Sequence, residues 1–170
     1  MLDVDGVLTD GRMILSERGD ELKVFDSHDG LAIGLAQRAG LRVAFVTGEK
    51  NAIAQARAAR LGVEDVVVGA RRKGEAVEEL AARHDLTLAQ VAFMGDDLLD
   101  IPALERAGLA VAPANAVPEA RAVAHRVTRA AGGAGAVREC VEWILRAQGR
   151  WGEVVSAFVR EHGGRGGLRR

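Results

Sequence analysis

The chain opens with MLDVDGVLTDG (residues 1–11), a short apolar run that leads two aspartates into a glycine-containing turn. Residues i and i+2 share a face while a strand stays extended, and a turn at Gly6 lets Asp3 and Asp5 converge on one point. Open α/β sheets bind ligands at the carboxyl ends of their strands. Two carboxylates at that edge suit a divalent cation such as Mg²⁺, or a nucleophile paired with a general acid/base.

The rest of the chain alternates between short apolar segments and helical patterns. This alternation predicts βαβ units and a parallel sheet covered on both faces, a Rossmann-like doubly wound α/β fold. Residues 12–16 and 21–25 flank a Gly-containing loop and predict a projecting β-hairpin over about 12–25. The predicted strands of the sheet are 42–46, 66–68, 91–94, 109–111 and 126–127, and the predicted longer helices are 31–40, 52–61, 73–84 and 136–146.

Composition limits the class of protein. The length of 170 residues suits one domain with a full core, and 48% hydrophobic with 28% charged residues fits a soluble globular protein. A net charge of −1 gives no case for nucleic acid or for a membrane as a partner. Cys140 is the only cysteine, so we expect no internal disulfide and a cytoplasmic location. Asp3 and Asp5 break any apolar signal segment, and no apolar run approaches membrane-spanning length.

The predicted domain extends over residues 1–147. Residues 148–162 follow as an amphipathic helix, because apolar side chains from Trp151 to Val159 recur at helical spacing. Its own domain or a neighbouring subunit could receive that apolar face. The Gly- and Arg-rich end, 163–170, is predicted to be a disordered basic tail.

The connections near the paired aspartates are short. Neither the segment after Asp5 nor the one after Gly48 has room for an inserted cap domain, so we expect oligomerisation to shield the site. The first strand is short as well: if Asp3 ends it, only Met1 and Leu2 remain, whereas strands typically have about five or six residues. We therefore expect the natural chain to begin several residues earlier.

Two further stretches lie at the ends of predicted elements. Thr47 and Gly48 end an apolar strand, where a hydroxyl and an exposed amide can donate to a phosphate oxygen; simple helix capping is the alternative. Lys73 stands at a helix start, where the helix dipole favours an acid. A cation held there can neutralise a phosphate and a nucleophile, and a solvated surface lysine is the alternative.

The most specific pattern is Gly-Asp-Asp-Leu-Leu-Asp at residues 95–100, directly after an apolar strand. It places Asp96, Asp97 and Asp100 near one helix N-terminus. Capping needs one acid there, and mutual repulsion makes three costly unless a cation or hydrogen-bond donors offset it. The pattern therefore predicts a metal site.

Together these motifs resemble those of the haloacid dehalogenase-like phosphatases, in the same order and at the same strand ends, over nearly the whole chain to about residue 146. The resemblance implies Mg²⁺-dependent hydrolysis of a phosphate ester through an aspartyl-phosphate. An Asp rather than a Thr two residues after the nucleophile favours hydrolysis of that intermediate. The implied roles are nucleophile and Mg²⁺ ligand for Asp3, general acid/base and carbonyl ligand of the metal for Asp5, phosphoryl binding for Thr47 and Lys73, Mg²⁺ binding for Asp96, and further binding or support of the metal for Asp97 and Asp100.

The start DGVLTDG, the hairpin, the GDDLLD pattern and the glycine-rich GGAGAVRE at 132–139 resemble one capless subfamily. It contains 3-deoxy-manno-octulosonate 8-phosphate phosphatase and its sialic-acid-type relatives. These are similar to one another in forming tetramers, in which the hairpin and a neighbour's tail close the site. The resemblance implies a phosphorylated sugar acid as substrate, and a homotetramer with the hairpin and the C-terminal segment at subunit interfaces.

Two positions depart from the octulosonate enzymes. Glu49 follows Thr-Gly where those enzymes have arginine, and Ala134 replaces the arginine of their GGRG loop. A glutamate there, with Arg60 on the following helix, is similar to the branch that acts on nine-carbon acids. We therefore predict that a nonulosonate (sialic-acid-type) 9-phosphate is the preferred substrate, bound by Gly48, Glu49 and Arg60.

Three alternatives stay open. The substrate could be the octulosonate 8-phosphate. The chain could be a non-catalytic oligomerisation or regulatory domain related to sugar cytidylyltransferase partners. Finally, Glu49 could simply cap the helix that begins near residue 51.

Overall fold

Strands and helices alternate along the chain in the computed structural model, which describes residues 1–50 and 52–166. The strands are β1 (Ile14–Leu15), β2 (Glu21–Leu22), β3 (Ala44–Val46), β4 (Asp65–Val67), β5 (Ala92–Met94), β6 (Leu109–Ala112) and β7 (Arg126–Val127). The α-helices are α1 (Ser27–Arg38), α2 (Ala52–Leu61), α3 (Lys73–Arg83), α4 (Ile101–Arg106), α5 (Pro118–Val123), α6 (Ala136–Ala147) and α7 (Trp151–Glu161), and 3₁₀ turns occupy Leu88–Gln90 and Leu98–Asp100.

One residue, Leu2, joins the two halves of the central sheet. Its amide donates to Ala44 at 2.9 Å and its carbonyl accepts from Val46 at 2.9 Å, while the next amide, of Asp3, donates to Met94 at 3.0 Å. Leu2 therefore lies between β3 and β5, and the parallel order is β4–β3–Leu2–β5–β6–β7. The chain winds outward to β4 and then crosses to β5, so the strand order reverses beside Leu2. Ligands bind at such a switch point in open α/β sheets.

Helices cover both faces of this sheet. Successive side chains of a strand point to opposite faces, so Phe45 enters one core cluster while Val46 enters the other. The first cluster includes residues of α1, α2, α6 and α7, and the second includes residues of α3, α4 and α5. The doubly wound α/β fold is thus confirmed. Over the described residues no cap domain is inserted after Asp5 or after Gly48, and no helix there is long and apolar enough to cross a membrane.

Helix α1 begins at Ser27, earlier than the predicted start at Leu31. Asp26 caps it by accepting hydrogen bonds from the amides of His28 and Asp29, at 2.6 and 3.0 Å. Such a cap satisfies amides that have no partner inside the helix. The helix therefore begins directly after Asp26 and includes the polar residues that precede Leu31.

The C-terminal helix α7 packs on its own chain. Trp151 and Val154 are buried in the first core cluster, and Phe158 packs against that cluster. Arg38 of α1 lies over the Phe158 ring, 5.3 Å from its centre. The sequence left open whether this apolar face packs on its own domain or on a neighbouring subunit, and in the structure it packs on its own domain. The predicted disordered tail, 163–170, falls partly on residues 167–170, which lie outside the described residues.

The projecting hairpin is present but its ladder is shorter than predicted. Ile14 pairs with Leu22 and Leu15 with Glu21, in antiparallel register. Nothing in the described chain covers its outer face, where Ile14, Leu22 and Val24 are 50%, 63% and 67% exposed. A two-stranded hairpin without such cover is marginal in water, which accounts for the short ladder.

Candidate active site

The turn after Leu2 is held by its own side chains and by close packing. The Thr9 hydroxyl accepts from the amides of Gly6, at 3.3 Å, and Gly11, at 3.1 Å. Gly6 has a φ of +88°, and a Cβ there would lie 2.0 Å from the Asp96 carboxylate. Only glycine tolerates both conditions. The turn therefore brings Asp3 and Asp96 to one place, although they lie far apart in sequence.

A buried cluster of charges lies at the carboxyl ends of the central strands. Oxygens of Asp3, Asp96 and Asp100 lie within 4.8 Å of one another. Lys73 Nζ at the start of α3 lies 2.7 Å from Asp3 and 2.6 Å from Asp100. The unfavourable position of a lysine at a helix start is offset by these two carboxylates, because opposite charges at this distance attract strongly in a buried site.

Asp100 is fully committed to holding this arrangement. One carboxylate oxygen binds Lys73, and the other accepts from the amides of Asp96, at 2.8 Å, and Asp97, at 3.1 Å. This leaves Asp100 little capacity to bind a cation. The Asp97 side chain is exposed and accepts from the amide of Leu98 at 2.7 Å, so it caps the 3₁₀ turn. Asp97 does not belong to the cluster in which Asp3, Asp96 and Asp100 converge.

The electrostatics of the cluster favour a cation. Burial and then the charge of Asp100 raise the pKa of Asp3. Burial, followed by the charges of Asp3 and Asp100, raises the pKa of Asp96 to about 8. Among the described residues, the buried Oδ1 of Asp96 has no hydrogen-bond partner. A hard cation such as Mg²⁺ prefers oxygen ligands, and the carboxylate oxygens of Asp3 and Asp96 are ligands of this kind.

Asp5 contacts the hairpin and is not one of the three aspartates that converge in the cluster. Its Oδ1 contacts Lys23 Nζ, whereas its buried Oδ2 has no partner among the described residues. The paired aspartates of the opening stretch therefore bind different lysines, Asp3 binding Lys73 and Asp5 binding Lys23. Asp3 joins the charge cluster, and Asp5 keeps one oxygen available beside it.

Thr47 is buried at the end of β3, and Glu49 follows it at the surface. The Thr47 hydroxyl accepts from the amide of Glu49 at 3.1 Å, which leaves the hydroxyl proton free to be donated. Gly48 lies half-buried in the same turn. The capping alternative for Glu49 involves residue 51, which the structure does not describe.

The structure does not bring Arg60 to the other predicted site residues. Helix α2 follows β3 and runs back along the sheet, and Arg60 lies exposed in its last turn. A helix rises about 1.5 Å per residue, so the length of α2 separates Arg60 from the carboxyl edge. A role for Arg60 in substrate binding therefore stays a prediction, which within one chain would require an indirect contact.

Comparisons with known proteins agree with this geometry. Residues 46–139 match the family model described as haloacid dehalogenase-like hydrolase. The 3-deoxy-D-manno-octulosonate 8-phosphate phosphatase of Escherichia coli (strain K12) is 42% identical over 153 residues, which are 90% of this chain and 81% of that enzyme. The chain belongs to the haloacid dehalogenase-like hydrolases.

Solved structures of such hydrolases share the fold. The same phosphatase from Moraxella catarrhalis, solved with magnesium, phosphate and 3-deoxy-D-manno-octulosonate (KDO), has a TM-score of 0.90 and 36% identity, over 92% of this chain and 90% of that one. The Yersinia pestis phosphatase has a TM-score of 0.86 and 41% identity, over 88% and 81%. The predicted family and the prediction of a hydrolytic enzyme are confirmed. The predicted preference for a nine-carbon acid gains no support from these relatives.

Asn115 holds the turn at Gly6, a role that the sequence did not predict. Asn115 donates from Nδ2 to the Gly6 carbonyl at 3.0 Å and accepts at Oδ1 from the Gly132 amide at 2.6 Å. A Cβ on Gly132 would lie 1.8 Å from that Gly6 carbonyl oxygen. The two hydrogen bonds of Asn115 and the close packing of Gly132 therefore hold the turn at Gly6 in place. The glycines at 132–133 were a visible signal, but a lone Asn in a loop was not.

The opposite edge of the sheet contains an apolar cavity of about 590 Å³. Its lining includes Gly40, Gln90 and Cys140 and none of the predicted site residues. Cys140 is a buried thiol whose pKa burial raises to about 11, as suits a core residue. The cavity thus lies away from the chemistry of this hydrolase.

Proposed function

We propose that this chain is a Mg²⁺-dependent phosphomonoesterase that acts on 3-deoxy-D-manno-octulosonate 8-phosphate. The observation that carries the proposal is the buried arrangement of Lys73 between Asp3 and Asp100, beside Oδ1 of Asp96, which has no hydrogen-bond partner among the described residues. This arrangement suits a nucleophilic carboxylate next to a site for a metal and a phosphate. The named substrate of the 42% identical relative supports the eight-carbon acid over the nine-carbon one.

The reaction proceeds in two steps, formation and then hydrolysis of the aspartyl-phosphate. The Asp3 carboxylate attacks phosphorus, the bond between phosphorus and the sugar oxygen breaks, and the proton of Asp5 goes to that oxygen. Water then attacks the phosphorus of the aspartyl-phosphate while Asp5 takes a proton from that water. The bond between phosphorus and the Asp3 oxygen breaks, so that inorganic phosphate leaves and the Asp3 carboxylate is regenerated. Both steps use general acid/base and nucleophilic catalysis by carboxylates.

The remaining residues hold the phosphoryl group. Thr47 and the amide of Gly48 donate to its oxygens, and Lys73 offsets its negative charge. Asp3 and Asp96 would hold Mg²⁺, with the Asp5 carbonyl as a further ligand. When bound, the cation supplies charge stabilisation at the phosphoryl oxygens. Asp100 supports the site through Lys73 and through the amides that it binds.

The substrate is tested by comparing kcat/KM for the eight-carbon and nine-carbon 2-keto-3-deoxy sugar acid phosphates, with and without Mg²⁺. We expect preference for the eight-carbon acid. The nine-carbon acid stays the second candidate because Glu49 is an exposed carboxylate directly after Thr47-Gly48, where a substrate hydroxyl could donate to it. Preference for the nine-carbon acid would assign specificity to Glu49. No Mg²⁺-dependent release from either would instead favour the non-catalytic alternative.

The proposed assembly is a homotetramer in the cytoplasm. The uncovered apolar residues of the hairpin, with Leu15 and Leu22 more than half exposed, support burial against further copies of the chain. The proposed domain is 1–147, with the segment from 148 onward contributing to the subunit interfaces. Sedimentation at micromolar concentration tests this, and a monomer would contradict a site shared between subunits.

A further inference from the structure

The side chain of Lys23 is buried on a hairpin whose other face is exposed. Its side chain is only 1% exposed, whereas its neighbours Leu22 and Val24 are 63% and 67% exposed. A strand with one covered face normally turns its apolar side chains inward and its charged ones outward. Here the alternation is inverted, because the inward position faces the catalytic turn rather than an apolar core.

The Lys23 ammonium lies between two carboxylates. It contacts Asp5 Oδ1 and lies 3.0 Å from Glu21 Oε1. Burying an ammonium is costly unless it is paired, so these contacts account for a lysine in this position. Because one oxygen of Asp5 is held by Lys23, only Oδ2 remains without a partner among the described residues.

We propose that Lys23 is a positioning residue that binds Oδ1 of Asp5 and thereby presents Oδ2 to the oxygen of the departing sugar. This inference rests on the proposed function, in which Asp5 gives its proton to that oxygen. A carboxyl group that rotates freely presents either oxygen in many directions, whereas one held by a charged hydrogen bond is aimed. The hairpin therefore orients the general acid, in addition to covering the site.

The test compares leaving groups in Lys23→Met. Loss of an aimed general acid harms substrates with a poor leaving group, such as a sugar alkoxide, and spares those with a good one, such as p-nitrophenolate. Because kcat/KM reports the steps up to the release of the alcohol, it isolates this proton transfer. We expect kcat/KM to fall about tenfold to a hundredfold on octulosonate 8-phosphate and less than about threefold on p-nitrophenyl phosphate.

Two variants serve as comparisons. Arg18→Met removes an exposed positive charge from the loop of the same hairpin and should leave both values unchanged. Lys23→Arg keeps a donor for Asp5 and should restore part of the loss on the sugar phosphate. Thermal unfolding of each variant confirms that the protein compared is folded.

Each outcome decides the proposal. An equal fall on both substrates would show a structural role for Lys23 and overturn it, as would no fall on either. A rise in KM for the sugar acid with unchanged kcat would mean that Lys23 binds the substrate, which also overturns it. If the wild-type enzyme releases phosphate from neither substrate, the proposed function itself fails, which is a separate result from failure of the Lys23 variant.

Discussion

Two lysine–carboxylate sites lie side by side in this molecule, and they are supported very differently. Lys73 binds Asp3 and Asp100 at the start of α3, between strands and helices of the second core cluster. Lys23 binds Asp5 and Glu21 from a hairpin whose outer face is exposed. The chemistry of the two pairs is the same, but the first is built into the sheet and the second depends on a marginal element.

The difference suggests a division of labour. The groups proposed to bind the phosphoryl group and the cation are held rigidly by the fold, which suits charge stabilisation without reorganisation. The group proposed to deliver the proton is held by the part of the chain that further subunits would cover. On this view, assembly controls proton delivery more than phosphate binding.

Removing the nucleophile gives the largest expected effect. Asp3→Asn should lower Mg²⁺-dependent phosphate release by at least about a thousandfold, because the amide cannot form the aspartyl-phosphate. Asp10→Asn is the matched control, since Asp10 is an exposed aspartate at the end of the same turn. Equal activity in wild type and Asp3→Asn would show that Asp3 is not the nucleophile, and the site around Lys73 would then not be where the phosphoryl group is attacked.

Replacing each of the two lysines separately should lower the free energy of unfolding by different amounts. Lys73→Met leaves Asp3 and Asp100 without their cation, and breaking such a buried pair costs about 3–5 kcal/mol. Lys23→Met should cost less than this, because Asp5 and Glu21, the partners of Lys23, stay 29% and 17% exposed and little core depends on the hairpin. Urea unfolding of the metal-free variants measures both. Similar losses for both would mean that the hairpin is as integral to the fold as α3.

The acidic cluster should make the stability of the metal-free protein fall as pH rises. Asp96 has an ordinary pKa of 3.8 and a folded-state pKa of about 8, and the pKa of Asp3 is also raised, so the folded state binds more protons than the unfolded one. The stabilisation is complete below about pH 4 and is lost progressively up to about pH 8.

Thermal unfolding with and without Mg²⁺ tests this dependence. We expect Tm without metal to be lower at pH 8 than at pH 5.5, and Mg²⁺ to raise Tm more at pH 8 because it binds the ionised carboxylates. Asp96→Asn should flatten the metal-free profile and weaken the Mg²⁺ effect. A Mg²⁺ effect that is independent of pH and unchanged in Asp96→Asn would place the cation elsewhere.

The outer face of the hairpin should control assembly with little effect on the folded chain. Replacing Ile14 and Leu22 together by serine removes two exposed apolar side chains that share this face, so the isolated chain should lose less than about 0.5 kcal/mol per site. Sedimentation should show smaller species than the wild type forms. Unchanged sedimentation would assign the interface to another surface.

Most of this arrangement could be predicted from the sequence, and the contacts that could not be predicted were missed for physical reasons. Strand ends and helix starts are local properties, so Asp3, Thr47, Lys73 and Asp96 could be expected at one edge of the sheet. The contact between Lys23 and Asp5 depends on how the hairpin folds back, which no local pattern encodes. Asn115 was missed because its two hydrogen bonds reach a turn and a loop that are distant in sequence.

Replacement of Arg60 should give the smallest effect. The resemblance to nine-carbon enzymes linked it to Glu49, but the direction of α2 carries it away from the carboxyl edge. Arg60→Ala should therefore change kcat/KM less than about twofold on both sugar acids, and stability by less than about 0.5 kcal/mol. Glu49→Gln, at the rim of the site, provides the comparison: if only Glu49→Gln changes the ratio of eight- to nine-carbon turnover, specificity lies in one chain. If Arg60→Ala changes that ratio equally, a second subunit must bring its Arg60 to the site, and the rigid edge of the sheet would then depend on assembly as much as the hairpin does.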